Sequence, residues 1–312
     1  MSLLTVDALS VSFRMPSGTV KAVREVSFAV GENEVVGILG ESGCGKSVLL
    51  TALVRLLPSN ALVSGKVFLR GEELLTLSER KMERLRGKKV GFVPQNPGTS
   101  LNPLLRIGSQ ITEAISTSLR RSHKRAQAMV SLQQFGFGEP WVIFRAYPHM
   151  LSGGMQQRVL VVAGIINQPR LVMVDEPTKG LDPSLRARVV EVFQEVARLP
   201  NTALLCVSHD YLVLQRLAHR VMVMYAGELV EIGSTKEVFH TPLHPYTVSL
   251  LWALPERGMR PIPGTSPSLS NLPSGCSFHP RCFQARSSCS VDHPSLQRIS
   301  PGRWVRCPYA RF

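Results

Sequence analysis

The chain has 312 residues, 44% hydrophobic and 6% aromatic, so it can bury a large core and form more than one folding unit. No apolar run approaches the roughly 20 residues that span a bilayer, and the first residues lack the pattern of a signal peptide, so we expect a cytoplasmic protein. The net charge of +14 favours anionic partners, namely nucleotides, nucleic acid or an anionic membrane face, without choosing among them.

The first third of the chain is rich in β-type runs. Residues 3–30 carry such runs around a predicted turn, and the apolar run 35–39 predicts a buried strand. Residues 48–54 predict a helix, and residues 64–71 and 89–93 predict two more strands. This part of the chain therefore centres on one strand–loop–helix unit.

The middle of the chain changes character twice. Residues 104–144 are polar and helix-prone, which predicts an inserted helical lobe. Strands are then predicted over 171–174 and 203–207, a helix over 183–198, and a closing hairpin over 221–232. Strands that alternate with helices predict a mostly parallel sheet with right-handed crossovers.

The last section, from about residue 240, is rich in proline, serine and arginine. Residues 257–311 hold eight arginines against one acid, Asp292, which predicts a small separate domain that needs a staple to fold. Four of the six cysteines lie here, and in a cytosolic chain they favour a metal, a cluster or packing over disulfides. The other two, Cys44 and Cys206, are predicted to be packing residues.

The clearest chemical motif is the loop after the 35–39 strand, which matches G-x-x-x-x-G-K-[S/T]. Its glycines let successive N–H groups point at phosphate oxygens, and the following helix N-terminus adds partial positive charge. Lys46 can reach the β- and γ-phosphates, and the Ser47 hydroxyl can hold Mg²⁺. The loop is predicted to bind a nucleoside triphosphate through Gly40, Glu41, Ser42, Gly43, Cys44, Gly45, Lys46, Ser47 and Val48.

Polar residues at the ends of three other predicted strands fit the same chemistry. Asp175 is placed to hold Mg²⁺ directly or through water, and Glu176 to orient or deprotonate a water beside the γ-phosphate. An acid pair after a strand is often only a helix N-cap, but the phosphate loop favours catalysis. Gln95 can contact Mg²⁺ or the attacking water, and His209 can reach the γ-phosphate, because ligands bind at this edge of α/β sheets.

A second anion site is predicted at residues 151–158. Ser152 can cap the following helix, while Gly153 and Gly154 expose backbone N–H groups at its N-terminus. A single phosphate loop does not need a second anion site. We therefore expect this one to bind the γ-phosphate of ATP held by a different subunit.

Taken together, these motifs resemble those of the nucleotide-binding subunits of ABC transporters along the whole chain. The resemblance implies an α/β P-loop NTPase (RecA-like) core with an N-terminal antiparallel β subdomain, an inserted helical subdomain and a small loop-rich C-terminal domain. It divides the chain into a core of 1–95 and 156–238, a helical signature subdomain of 96–155, and an extension of 239–312. The matching residues are 40–47, Gln95, 151–155, Asp175, Glu176, 180–182 and His209.

The same resemblance implies a dimer of ATPase subunits. Two subunits would face each other head to tail with two ATP molecules between them, and Asp182 would lie near the interface. Phe13 matches the family's adenine-stacking aromatic, the alternative being an ordinary core phenylalanine of a β-hairpin.

The tail narrows the resemblance to one branch. Residues 244–247, 262–264 and 273–282 resemble the C-terminal extension of dipeptide, oligopeptide and nickel importers, and the chain is most similar to the first of their paired ATPases. This implies an ATPase that powers import of peptides or a related small solute, nickel or a metal chelate included. The implied partners are a second ATPase, expected to be a paralogue, two permease subunits and, indirectly, an external solute-binding protein; no nucleic acid is expected. The implied location is peripheral, on the cytoplasmic face of the inner (plasma) membrane.

Four cysteines of the tail have five, six and seventeen residues between them. Four thiolates in a loop-rich segment suit either a tetrahedral zinc or a [4Fe–4S] cluster. Similar cysteines in the dipeptide branch hold a [4Fe–4S] cluster, so the resemblance favours the cluster; zinc and unligated thiols remain the alternatives. The residues are Cys276, Cys282, Cys289 and Cys307.

Two other classes of ABC ATPase compete with the importer. The first is a non-transport ATPase of a soluble enzyme complex. ATPases of that class generally lack the cysteine-bearing tail, so the tail counts against this alternative. A nucleic-acid-linked ATPase is suggested by the charge of +14, but this chain has a single phosphate loop, a single signature and no inserted coiled coil.

Overall fold

The computed structural model describes residues 2–16, 18–115, 119–179 and 183–310, with backbone only for 183–185. The chain divides into two compact units. The first unit contains residues 31–35 and 76–207, and the second unit contains residues 2–30, 36–75 and those from 208 onward.

The strands, in chain order, are β1 (Ser2–Met15), β2 (Gly18–Gly31), β3 (Val35–Leu39), β4 (Ala61–Leu69), β5 (Glu72–Glu73), β6 (Val90–Val93), β7 (Leu171–Asp175), β8 (Ala203–Ser208), β9 (Arg220–Tyr225), β10 (Glu228–Ser234), β11 (Gln297–Ser300) and β12 (Arg303–Val305). The predicted alternation of strands and helices is confirmed.

The helices are α1 (Lys46–Leu53), α2 (Glu79–Leu85), α3 (Pro97–Ser100), α4 (Ile107–Ala114), α5 (Arg121–Gln134), α6 (Pro140–Arg145), α7 (Gly153–Ile165), α8 (Pro183–Ala197), α9 (Tyr211–Leu217), α10 (Thr235–His240) and α11 (Pro245–Trp252). Within the part of the chain that the structure describes, none of them has both the length and the apolar character needed to traverse a bilayer.

The second unit contains an antiparallel sheet with the strand order β2-β1-β4-β5. In β1, after the buried pair Leu3 and Leu4, the buried side chains fall first on an even position, Val6, and then on odd positions, Leu9 and Val11. The change of phase follows from a β-bulge at Ala8, which adopts φ 46° and shifts the register with β4. The predicted N-terminal antiparallel β subdomain is confirmed.

The second unit also carries the strands β11-β12-β10-β9-β3, in that order. β3 and β9 run parallel with Ile38 opposite Met222, and β9 and β10 form the predicted hairpin. β12 pairs with β10, with Glu231 opposite Val305, so the arginine-rich tail adds strands to this sheet. Every residue of β3 is buried, which fixes the start of the phosphate loop.

The first unit carries three parallel strands in the order β8-β7-β6. β7 and β8 are buried throughout, as expected for parallel strands covered on both faces. The stretch predicted to be helical forms α4, α5 and α6, and α7 packs against β6, α4 and α8. Val93 lies opposite Val174, so β6 and β7 end at the same edge.

A fully buried ion pair ties the tail to β10 in the second unit. Arg303 donates to the Glu231 carboxylate at 2.6 Å, and the backbone N–H groups of Leu243 and His244 donate to its two oxygens at 2.8 and 3.0 Å. Burial raises the pKa of Glu231, and the charge of Arg303 opposes that rise. The carboxylate is therefore satisfied only while the tail is in place.

We expect Arg303→Met to lower the free energy of unfolding by about 3–5 kcal/mol, because it leaves a buried carboxylate without its cation. Urea unfolding of the full chain measures the loss. The double variant Glu231→Met with Arg303→Met should recover most of it, since no buried charge then remains. A loss below about 1 kcal/mol for the single variant would contradict this account.

Candidate functional site

The phosphate loop has a backbone that only glycine permits at two positions. Gly45 has φ 107°, and a Cβ there would lie 2.1 Å from the carbonyl oxygen of Ala22. A Cβ at Gly40 would lie 2.3 Å from the carbonyl oxygen of Met224. The strand–loop–helix conformation predicted from the sequence is thus present between β3 and α1.

Lys46 lies buried inside this loop. Its ammonium donates to the carbonyl oxygens of Gly40 at 2.8 Å and Glu41 at 2.9 Å, across the curve of the loop. Ser47 is half-buried at the start of α1, and Ser42 and Gly43 are exposed. The loop therefore has the curvature and the buried cation of a phosphate cradle.

Two residues of the tail region support the loop, and the sequence did not single them out for this role. The Glu41 N–H donates to the hydroxyl of Tyr246 at 2.9 Å. Tyr246 is fixed by its own N–H, which donates to Nδ1 of His244 at 3.0 Å. Burial and then the charge of Arg306 lower the pKa of His244 to about 3, so this imidazole is neutral and can accept. In the sequence, His244 and Tyr246 stood out only as members of the 244–247 motif.

The two cysteines predicted to be packing residues are both buried. Burial raises the pKa of Cys44. The charge of Lys46, whose Nζ lies 4.0 Å from the Cys44 Sγ, opposes that rise. Burial and the charges of Glu176 and Asp175 raise the pKa of Cys206. Both side chains therefore remain protonated thiols.

Three predicted site residues lie at one edge of the first unit's parallel strands. Asp175 ends β7, Glu176 follows it, and Gln95 comes two residues after β6. Asp175 and Glu176 are each 6% exposed, and Gln95 is half-buried. Glu176 adopts the left-handed φ of 45°, and its N–H donates to the carbonyl of Val207 at 2.9 Å. A strained, buried carboxylate at a strand end is typical of a functional position.

The predicted second anion site is the start of α7 in the first unit. The Ser152 side chain caps the helix by accepting from the N–H of Met155 at 3.4 Å. Ser152 and Gly153 are exposed, and a Cβ added at Gly153 would meet nothing within 4 Å. Gly154 is buried in the first turn. The helix N-terminus is therefore open to a ligand from outside the chain.

The other predicted nucleotide contacts are placed as follows. Phe13 lies half-buried on β1, opposite Ala61 of β4. His209 is exposed and follows β8 directly. Asp182 lies outside the described residues. Val48 is half-buried in α1, one residue after Ser47.

The four tail cysteines line one cavity of about 110 Å³ in the second unit. Burial raises the pKa of Cys282 to about 11, and the neighbouring thiols of Cys276, Cys307 and Cys289 add to the rise. The N–H of Arg286 donates to Sγ of Cys289 at 3.5 Å. Within the described residues, no three His, Cys, Asp or Glu side chains are grouped so that they could hold a single metal ion.

Arginines directly precede Cys282 and Cys307 in the sequence, and the Arg286 N–H is the donor to Cys289.

Comparison with known families gives two matches along the chain. Residues 23–179 match the model of the ABC transporter family, and residues 230–289 match that of the oligopeptide/dipeptide transporter C-terminal region. Dipeptide transport ATP-binding protein DppD of Escherichia coli is 39% identical, covering 99% of this chain and 97% of its own length. Oligopeptide transport ATP-binding protein OppD of the same organism is 38% identical, covering 98% and 93%.

Solved structures agree on the fold. A dimeric, post-hydrolysis form of the ATP-binding cassette MJ0796 bound to ADP and Pi has a TM-score of 0.66 at 23% identity, over 74% of this chain and 98% of that one. The cbiO1 protein of Clostridium perfringens has a TM-score of 0.65 at 25% identity, over 81% and 95%. The P-loop NTPase architecture predicted from the sequence is confirmed. The chain belongs to the ATP-binding subunits of the ABC transporter family and carries the C-terminal region of its oligopeptide/dipeptide branch.

Proposed function

We propose that this chain is the ATP-hydrolysing subunit of an importer for peptides or a related small solute. The observation that carries the proposal is the identity of 39% with a dipeptide transport ATP-binding protein over 99% of the chain, tail included. The tail favours this branch over the ABC ATPases of soluble enzyme complexes or of nucleic-acid metabolism. The related small solutes include nickel and metal chelates.

In the proposed site the residues divide among phosphate binding, adenine stacking, Mg²⁺ binding and catalysis. The loop from Gly40 to Val48 binds the phosphates, and Phe13 stacks on the adenine. Ser47, Gln95 and Asp175 would hold Mg²⁺, whose charge would offset that of the phosphates, and the Gln95 amide would alternatively contact the attacking water. Glu176 orients or deprotonates the attacking water, and His209 contacts the γ-phosphate.

The second anion site implies that each ATP would be bound by two subunits. Ser152 and Gly153 are exposed at the start of α7, and we propose that they and Gly154 bind the γ-phosphate of ATP held by a second ATPase, a paralogue. Asp182 would lie at this interface. ATP binding would close the two subunits, and hydrolysis would release them.

The membrane-spanning part would come from other proteins. We propose that the 96–155 segment docks two permease subunits at the cytoplasmic face of the membrane, with a solute-binding protein on the other side. The nucleotide core would be 1–95 with 156–238, and the extension 239–312.

For the four cysteines we propose a [4Fe–4S] cluster. The support is a shared cavity of about 110 Å³ and a backbone N–H that donates to Cys289. Cys276, Cys282, Cys289 and Cys307 would be the ligands, and zinc is the alternative. The cluster would substitute for a hydrophobic core in the tail, and we assign it no redox step.

The proposal is tested by capturing the tagged chain from gently solubilised membranes. Washes at high salt are needed, because a chain of charge +14 binds nucleic acid and anionic lipid non-specifically. We expect two integral membrane permeases and a second ATPase, absent from a capture with the untagged chain. Recovery of soluble enzymes or nucleic acid alone would contradict the importer.

A further inference from the structure

One side chain of the phosphate loop is held from the tail, 240 positions away along the chain. Arg281 donates to both carboxylate oxygens of Glu41, through Nη1 at 2.8 Å and Nη2 at 3.0 Å. Two parallel N–H···O bonds are the strongest and most directional form of an arginine–carboxylate pair. The Arg281 side chain is 7% exposed and that of Glu41 is 24% exposed, so the pair is partly shielded from water.

The guanidinium itself is fixed at every nitrogen. Nε donates to the carbonyl of Pro263 at 2.9 Å, and Nη1 also contacts the hydroxyls of Ser266 at 3.2 Å and Tyr225 at 3.3 Å. The Ser266 hydroxyl in turn donates to Glu41. These bonds hold the guanidinium group in one orientation, and the group in turn fixes the position of the Glu41 carboxylate.

Glu41 is held through its backbone as well. Its N–H donates to Tyr246 at 2.9 Å, and its carbonyl accepts from Lys46 at 2.9 Å. Lys46 is the residue predicted to reach the phosphates, so the tail and the phosphate-binding cation meet at one residue. Movement of Glu41 would move the lysine's anchor.

The charge of Glu41 also matters, because a free carboxylate beside a phosphate loop repels its ligand. Burial opposes its ionisation, but hydrogen bonds from Arg281 and Ser266 and the charges of Arg281 and Lys46 outweigh burial and lower the pKa of Glu41. Glu41 is thus an anion whose charge the tail offsets.

The segment that carries Arg281 is packed against the same region. Phe278 is 1% exposed and lies edge-on to the rings of Tyr225 and Tyr246, at centroid distances of 5.2 and 5.4 Å. Arg281 follows three residues later and directly precedes Cys282. The position of the guanidinium is therefore set by an aromatic cluster as well as by its hydrogen bonds.

We propose that Arg281 is a positioning residue for the phosphate-binding loop and acts through the carboxylate of Glu41. The tail is then part of the nucleotide site, beyond its resemblance to an importer extension. The inference rests on the proposed function, because it takes the ligand of the loop to be the phosphates of ATP.

The test is the Kd for ATP of the full chain, measured by titration calorimetry for Arg281→Ala, Glu41→Ala and the double variant. We expect Arg281→Ala to raise Kd by about tenfold, in line with a hydrogen-bonded charge. In the Glu41→Ala background the same change should alter Kd by less than about twofold, because the two residues act as one unit. In the ATPase assembled with its partners, KM should rise and kcat stay within about twofold.

The matched control is Arg298→Ala, which removes an exposed arginine of the same tail. It should leave Kd unchanged. Wild-type chain that does not bind ATP would overturn the proposed site itself, which is a different outcome from the failure of Arg281. An unchanged Kd in Arg281→Ala, or an equal effect with and without Glu41, would overturn the positioning role.

Hydrogen exchange keeps the proposal testable if Arg281→Ala does not fold. Glu41→Ala leaves the tail sequence intact, and amide exchange of the peptide covering residues 40–46 should become at least about tenfold faster. Exchange in α5, a helix of the first unit that carries no residue of the proposed nucleotide site, should not change. Unaltered exchange in the loop of Glu41→Ala would show that the pair only anchors the tail.

Discussion

Replacing Glu176 by Gln lowers ATP turnover by about 100-fold or more, while the Kd for ATP stays within about twofold. The amide has the shape of the carboxylate but cannot accept the proton of the attacking water. The residue is 6% exposed, and its N–H is bonded to Val207. The backbone that aims it should therefore survive the substitution. Phosphate release at saturating ATP in the complex with the partner ATPase measures the effect.

Glu195→Gln is the matched control, because it neutralises an exposed acid of α8 in the same unit. Turnover should remain within about twofold of wild type. If Glu176→Gln hydrolysed ATP at the wild-type rate, the carboxylate would not be the catalytic base, and its left-handed backbone would need another explanation.

Cys282→Ser is expected to lose bound iron and more than about 4 kcal/mol of unfolding free energy. The segment around the four cysteines has little regular structure, so the bound group would take the place of a core. Anaerobically purified wild-type chain should contain about four iron atoms. Iron and zinc analysis together with urea unfolding measures both effects.

Cys206→Ala is the control, because this thiol is buried on β8 and does not line the four-cysteine cavity. It should keep the full iron content. One zinc per wild-type chain, lost in Cys282→Ser, would favour the tetrahedral site instead. A Cys282→Ser chain of full stability, with no metal in either protein, would show that the thiols are unligated.

The parallel strands and the phosphate loop could be predicted because their signals are local. β7 and β8 are continuous apolar runs, and Gly40 and Gly45 stand where any Cβ would strike a neighbouring carbonyl. The apolar runs and the spacing of the loop's glycines, Lys46 and Ser47 are patterns within a few residues of sequence, so one sequence is enough to reveal them.

The support of the loop by the tail could not be predicted in the same way. Arg281 is one of eight arginines in residues 257–311, and although it lies in the 273–282 motif, nothing there indicates a contact with Glu41. The pairing of β12 with β10 was missed for a related reason. β12 is only three residues long, too short for an alternation to be recognised.

Glu228 is a second residue whose long-range ion pairs could not be predicted from the sequence. It is 4% exposed and pairs with Arg24 at 3.2 Å and with His293 at 2.9 Å. Its partners come from β2 and from the tail. Long-range pairs of this kind depend on the folded topology, which residue spacing does not report.

The measurement that tests the central claim most directly is ATP-dependent uptake of labelled peptides by vesicles that contain the captured complex. We expect uptake that requires ATP on the side where this chain lies, and that is lost in the complex with Glu176→Gln. ATP hydrolysis should rise with peptide and its binding protein. Hydrolysis that is indifferent to both, with no peptide accumulated, would contradict the assignment of this chain to peptide import.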